Sequence, residues 1–287
     1  MMNLNRCFPL LKLMLFVVMY QVLNVEAGMP EYRIISTDAS VTDLLFEFGM
    51  QDHLVAVDVT SQLPKGFKAL PNVGYHRNLS AEGLLSLTPS IVIGSDLMGP
   101  DNVTQALTAA QVPFLQLPIA KTIVSLKSNI NKVALQLQAQ TDSKVLTQWI
   151  DEQVGLLKKR PLKEERIAFL LSMNPSKLRL AGKGTNGDAL ITLLGAKNIG
   201  HFDNYRNVSA ESLLAMNPTI ILVAGSSPST AVKSLLDAQS ILKYSEAAKA
   251  GKIKGIDGRS LVAGLSIAAL KEALRISKNI NDPIETP

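Results

Sequence analysis

Arg77-Asn78-Leu79-Ser80-Ala81-Glu82-Gly83-Leu84-Leu85-Ser86-Leu87-Thr88-Pro89-Ser90-Ile91-Val92-Ile93 occurs a second time, as Arg206-Asn207-Val208-Ser209-Ala210-Glu211-Ser212-Leu213-Leu214-Ala215-Met216-Asn217-Pro218-Thr219-Ile220-Ile221-Leu222. Nine of the 17 aligned positions are identical and five more are conservative. The copies stand 129 residues apart, a domain-sized offset far beyond the roughly 20–50 residues of a solenoid repeat. The repeat therefore predicts two related lobes with a cleft between them. In each copy a Ser at the N-cap satisfies an orphan amide, and a Glu complements the positive end of the helix. The Leu pairs pack inward, and Pro89 and Pro218 end the helices before buried strands.

Outward from the repeat, strands alternate with helices. Tyr32 to Ser36, His53 to Val57, Ser90 to Ile93 and Val112 to Leu117 read as strands. Helices are expected from Asp38 or Ser40 to Phe48, from Ser80, and from Asn102 to Gln111. This alternation predicts a parallel α/β sheet. From Thr122 to Lys159 the apolar spacing is helical throughout, with a break expected at Thr141-Asp142. The alternation then returns: strands at Arg166 to Leu171, Thr219 to Val223 and Lys254 to Ile256, and helices at Asn186 to Leu194, Ser209 onward and Ser266 to Asn279. The fold class is α/β, two Rossmann-like lobes with parallel-type sheets joined by a long helical backbone. The expected boundaries are 28–120 for the first lobe, 121–160 for the connection and 161–287 for the second.

The residues ahead of the first lobe read as a signal. Arg6 and Lys12 form a positive start, an apolar run from Leu13 to Leu23 follows, and Val25-Glu26-Ala27 offers small residues at a cleavage site. The run is shorter than the ~20 residues that span a bilayer. A signal peptide over 1–27 predicts export, with cleavage near Ala27. It would take with it the chain's one cysteine, Cys7, so the mature chain has no disulfide and no thiolate. The remaining 27 basic and 23 acidic side chains give a net charge of +4. That modest charge, with a single Trp, argues against a nucleic-acid surface.

Two features of the repeat exceed what folding needs. Glu82 and Glu211 place an exposed acid in the first turn of each copy, a matched pair suited to a basic partner. Tyr75-His76-Arg77 and Asn204-Tyr205-Arg206 end the loops ahead of each helix, at sheet edges where open α/β folds bind ligands.

Leu70-Pro71-Asn72-Val73-Gly74-Tyr75, running into Leu79-Ser80-Ala81-Glu82-Gly83-Leu84-Leu85, with Phe169-Leu170-Leu171-Ser172 and Ala181-Gly182-Lys183-Gly184-Thr185, resembles the haem-binding periplasmic proteins of bacterial haem ABC importers. These belong to the helical-backbone group of solute-binding proteins, and the likeness runs from Tyr32 to about Ile280. It implies haem as the transported ligand, with Tyr75 as axial ligand of Fe(III). Phenolate is a hard anionic donor suited to that ion. Arg77 beside it would favour the anion or hold a haem propionate. Tyr205, Arg206, Arg179 and Lys183 are the second-lobe candidates, and His76 could hydrogen-bond or compete as ligand. Glu82 and Glu211 would dock onto the inner-membrane permease. The chain departs from the family at Met173, where some relatives carry a His used toward haem. A thioether can ligate haem iron, although Met near a pocket more often packs. It departs again at Gly264-Leu265-Ser266-Ile267, in place of Gly-Pro-Arg. A monomer working with an ABC permease and ATPase is expected.

The rivals are the same fold binding a ferric siderophore or cobalamin, and an exported enzyme. Against the enzyme stands the lack of any nucleophile motif or His/acid pair, and His53, His76 and His201 show no metal-ligand spacing. Gly182-Lys183-Gly184-Thr185-Asn186-Gly187 matches G-x-G-x-x-G, but no strand–turn–helix unit starts there. It reads as a helix-capping loop whose amides could hold a carboxylate.

Overall fold

The computed structural model describes residues 32–172, 174 and 176–281. The expected signal peptide and Met173 lie outside the described residues. The first half runs β1 (Ile34–Ser36), α1 (Ala39–Glu47), β2 (Leu54–Val57), α2 (Ala81–Ser86), β3 (Ile91–Ser95), α3 (Asp101–Ala109) and β4 (Phe114–Leu117). Its sheet has the order β2-β1-β3-β4, every neighbour parallel. Ile34, Ile35, Val92 and Ile93 are fully buried, as continuous apolar runs in a parallel sheet should be. Asp38 caps α1, its carboxylate accepting from the Val41 amide at 3.1 Å.

The helical connection is α4 (Ile123–Leu137) and α5 (Gln140–Lys159). Thr122 and Ser125 form a reciprocal capping box at its start. The break falls at Gln138, in left-handed backbone with φ of 58°, three residues before the Thr141-Asp142 position expected from sequence. Gln138 closes α4 through its amide to the Ala134 carbonyl, so the chain turns there.

The second half follows as β5 (Arg166–Leu171), β6 (Leu178–Ala181), α6 (Asn186–Leu193), β7 (Lys197–Asn198), β8 (Tyr205–Val208), α7 (Ala210–Ala215), β9 (Ile220–Gly225), α8 (Pro228–Ala238), α9 (Glu246–Lys249), β10 (Ile253–Asp257) and α10 (Ile267–Asn281). Its sheet is ordered β10-β9-β5-β6-β8, with β7 also on β5. Strands β10, β9, β5 and β7 are parallel, while β6 pairs antiparallel with both of its neighbours, β5 and β8. The mixed sheet refines the parallel expectation.

The duplication reaches beyond the repeated segment. Arg33 donates to the carbonyls of Thr88 at 2.9 Å and Leu87 at 2.7 Å. Arg166 does the equivalent at Asn217, at 3.0 and 2.8 Å. Thr88 and Asn217, aligned in the repeat, are both left-handed, with φ of 45° and 48°. The Arg33 amide donates to Ser90 Oγ, and the Arg166 amide to the aligned Thr219 Oγ1, each at 2.8 Å. The strand registers agree too: Ile34 faces Ile91 and Ile167 faces Ile220. In both halves an arginine at the start of a core strand closes the carboxyl end of the repeat helix, satisfying carbonyls that would otherwise have no partner.

Three connections tie the halves together. Ala120 bridges Gly264, with the Leu265 amide donating to the Ala120 carbonyl at 2.7 Å. Asn186 Nδ2 donates to the Leu261 carbonyl at 2.7 Å, and its Oδ1 accepts from Lys121. Helix α10 packs on α1, α5 and α6, and Lys271 Nζ meets Glu47 Oε1 at 2.7 Å. The strap needs glycine: Gly264 has φ of +88°, and a Cβ there would lie 2.2 Å from the Ala120 carbonyl oxygen. Gly264→Ala is expected to cost about 3 kcal/mol through backbone strain and overpacking. Urea unfolding checks this, and a wild-type midpoint would show the strap to be dispensable.

Candidate functional site

The parallel strands of the first sheet end at Ser36, Val57, Ser95 and Leu117. The chain leaving β2 folds back along it: Val57 bridges Asn72, the Val73 amide donates to the Val57 carbonyl at 2.9 Å, and the Val59 amide to the Gly74 carbonyl at 3.0 Å. Gly74 then turns with φ of +91°, which an L side chain resists. The turn sets Tyr75 at the carboxyl edge of the sheet, 46% exposed. Arg77, two residues on, is exposed.

His76 faces the opposite way. It is 2% exposed, its Nδ1 lies 3.5 Å from Asp58 Oδ2, and its ring sits under Tyr75 with centroids 4.1 Å apart. Asp58 is fully buried and held by Thr60 Oγ1 at 2.7 Å, the Ser61 amide at 3.0 Å and Ser61 Oγ at 2.8 Å. Tyr75 therefore rests on a buried His–Asp pair anchored by the β2 loop. Sequence reading missed Asp58, and with it the His/acid pair it took to be lacking, because a single Asp 18 residues ahead of the His carries no pairing signal of its own.

The second-half candidates cluster around the β6–β8 pair. Tyr205 is half-buried, its hydroxyl accepts from the Gly187 amide at 3.4 Å, and burial pushes its phenol up. Arg179 lies over its ring, 5.5 Å from the centroid. Arg206 covers Phe202 at 4.9 Å, and Lys183 is exposed. Leu171, Asn174, Lys177, Arg179, Tyr205 and Asn207 line a recess of 320 Å³, of which Lys177, Asn174 and Asn207 were not among the sequence candidates. Asn204-Tyr205-Arg206 was expected to end a loop, as its counterpart does. Instead Tyr205 and Arg206 are held in strand β8, paired with Ala181 and Leu180 of β6. No strand equivalent to β6 exists among the described residues of the first half, so Tyr75 stays free where Tyr205 is pinned.

The amides of the Gly182–Gly187 loop are mostly taken. Gly184 donates to Asp188 Oδ2 at 2.9 Å, Gly187 to the Tyr205 hydroxyl, and Asp188 to Thr185 Oγ1 at 3.1 Å. The loop caps α6 and leaves those amides no room for a carboxylate. The departing Gly264-Leu265-Ser266-Ile267 segment belongs to the strap described above.

Glu82 and Glu211 stand exposed in the first turns of α2 and α7, one in each half. Glu211 is held below the usual carboxylate range by its own amide and by Ser209.

A further recess of 400 Å³ lies between α1, the β2 loop and α10, with Asp43, Lys65, Arg259 and Lys271 on its walls. Burial pushes Asp43 up to about 6; Lys271 opposes the shift, and Glu47, Asp257 and Asp38 add to it. Its folded pKa thus exceeds the unfolded value near 3.9. The folded chain binds more protons between those values, so this residue makes stability fall as pH rises from about 4 to about 6. Asp43→Asn is expected to flatten that slope and to gain about 2 kcal/mol at pH 7. Melting curves from pH 4 to 7 test it, and parallel curves for variant and wild type would refute it.

Residues 34–259 match the family model described as periplasmic binding protein. The chain belongs to that family. Among solved structures, it is similar to the periplasmic haem-binding protein HutB of Vibrio cholerae, with 35% identity, a TM-score of 0.79, and coverage of 87% of this chain and 99% of that one. It is also similar to a periplasmic haem-binding protein from Pseudomonas aeruginosa, at 29% identity and a TM-score of 0.77, covering 86% and 91%. The vitamin B12-binding protein of Pectobacterium atrosepticum is 23% identical over 202 residues, 68% of this chain and 72% of that protein. The two lobes read from the repeat, and the periplasmic binding family read from the resemblance, are thus both observed. Among the described residues no helix is long and apolar enough to cross a membrane.

Proposed function

We propose that this chain is exported to the periplasm, captures haem in the cleft between its halves and delivers it to an inner-membrane ABC importer. The observation that carries the reading is Tyr75: an exposed phenol on a glycine turn at a sheet's carboxyl edge, in only one of two duplicated halves. Its oxygen would ligate Fe(III), whose affinity for hard anionic donors favours phenolate. Arg77 would offset the negative charge of the ligand or its propionates. His76, buried and turned toward Asp58, serves as the platform of Tyr75 and does not compete for the metal. From the other half, Arg179, Lys183 and Arg206 supply cations for the propionates, with Tyr205 as an aromatic wall. Glu82 and Glu211 meet basic residues of the permease. The haem-binding neighbours support this ligand.

A cobalamin reading has its own support in the vitamin B12-binding relatives. Equilibrium dialysis of the purified protein against haemin, cyanocobalamin and a ferric hydroxamate separates the two. We expect retention of haemin alone; retention of cyanocobalamin without haemin would replace the haem reading.

A further inference from the structure

Among the described residues, four buried side-chain atoms find no hydrogen-bonding partner in the protein: Asp38 Oδ2, Ser95 Oγ, Asn129 Oδ1 and His76 Nδ1. The first three line one cavity of about 30 Å³. Their residues are 0%, 3% and 9% exposed. They come from different elements: Asp38 from the β1–α1 turn, Ser95 from the end of β3, and Asn129 from α4 of the helical connection. The Ala263–Ile267 segment of the second half closes the cavity. It therefore lies where both halves and the connection meet.

The other atoms of these side chains are engaged. Asp38 Oδ1 accepts from Ser40 Oγ at 2.5 Å and the Val41 amide at 3.1 Å. Asn129 Nδ2 donates to the Pro118 carbonyl at 2.7 Å, which fixes its Oδ1 toward the cavity. Leaving three buried polar atoms unpaired would cost roughly 1–3 kcal/mol each. The volume suits one water, which needs about 10–15 Å³ and ordinarily makes about three hydrogen bonds. The chemistry matches as well: a water gives its two protons to Asp38 Oδ2 and Asn129 Oδ1 and accepts the Ser95 hydroxyl proton. A hard cation fills a shell of about six oxygens, whereas much of this wall is Leu, Ile, Val and Pro carbon.

We propose that Asp38, Ser95 and Asn129 form a built site for a single buried water, which fastens the ligand-facing edge of the first sheet to the connecting helix. The water acts as a pin: movement of α4 of the connection away from the first sheet must break at least one of its three bonds. This inference is independent of which ligand the cleft takes.

The test is water-oxygen-17 relaxation dispersion on the purified protein, which counts long-held internal waters. Wild type is compared with Asn129→Leu and Ser95→Ala. We expect the dispersion amplitude to fall by about one water in each variant. Ser95→Ala removes only a hydroxyl, so it carries the test if Asn129→Leu does not fold. A wild-type amplitude in a folded variant overturns the site. Melting in sodium chloride and in choline chloride of equal ionic strength is expected to give the same midpoint. A higher midpoint in sodium would identify a bound cation and overturn the water.

Discussion

Tyr75→Ala protein is expected to lose roughly a hundredfold in haemin affinity, about 3 kcal/mol, together with its iron–phenolate absorption. The loss is large because the substitution removes the one proposed bond to the metal, whereas the propionate contacts are spread over several exposed cations. It is also expected to be clean. Tyr75 is 46% exposed and its ring contact is with His76 alone among the aromatic pairs of the described residues, so the melting temperature should move little. Tyr75→Phe sharpens the point, since it keeps the ring on His76 and deletes only the oxygen. If Tyr75→Phe binds haemin as wild type does, the ring is a stacking surface and the ligand lies elsewhere.

The second large effect concerns delivery. Reversing both Glu82 and Glu211 to Lys is expected to reduce haem-dependent growth or vesicle uptake to background while haemin affinity stays within about twofold of wild type. Both acids are exposed and each opens a short helix. Their removal costs the fold only a solvent-screened dipole contribution at two exposed helix starts. Opposite charges at a docking surface act on encounter and register, so one reversal should weaken uptake and two should abolish it. Unchanged uptake by the double variant would remove these residues from the docking surface, and a fall in haemin affinity would assign them to the pocket or the fold.

The repeat made much of this legible in the sequence. Ser80 and Ser209 cap as read, accepting from Gly83 and Ser212, and Leu84 and Leu213 are fully buried. What escaped reading lacked periodicity. Strand β8 is Tyr-Arg-Asn-Val, largely exposed, and it exists because β6 is there to pair with it. That pairing is a tertiary fact which four polar-leaning residues do not announce. Helix α8 did carry a signal, Pro228 at its first position with Ala231 and Leu235 buried at helical spacing. Asp58 was hidden for a different reason, as was the second role of Asp38, which was read only as a helix cap. Each is a lone acid after a strand, and only the fold turns one oxygen of Asp38 into a closed cavity and sets Asp58 beside His76.

The central claim rests on an iron–oxygen bond made by Tyr75, and haemin titration of wild-type and Tyr75→Phe protein side by side, followed by absorption and resonance Raman, tests it most directly. The account predicts a saturable Soret shift with iron–phenolate vibrations in wild type, and loss of those vibrations in Tyr75→Phe. A wild-type spectrum indistinguishable from free haemin, or identical iron coordination in the two proteins, would contradict it.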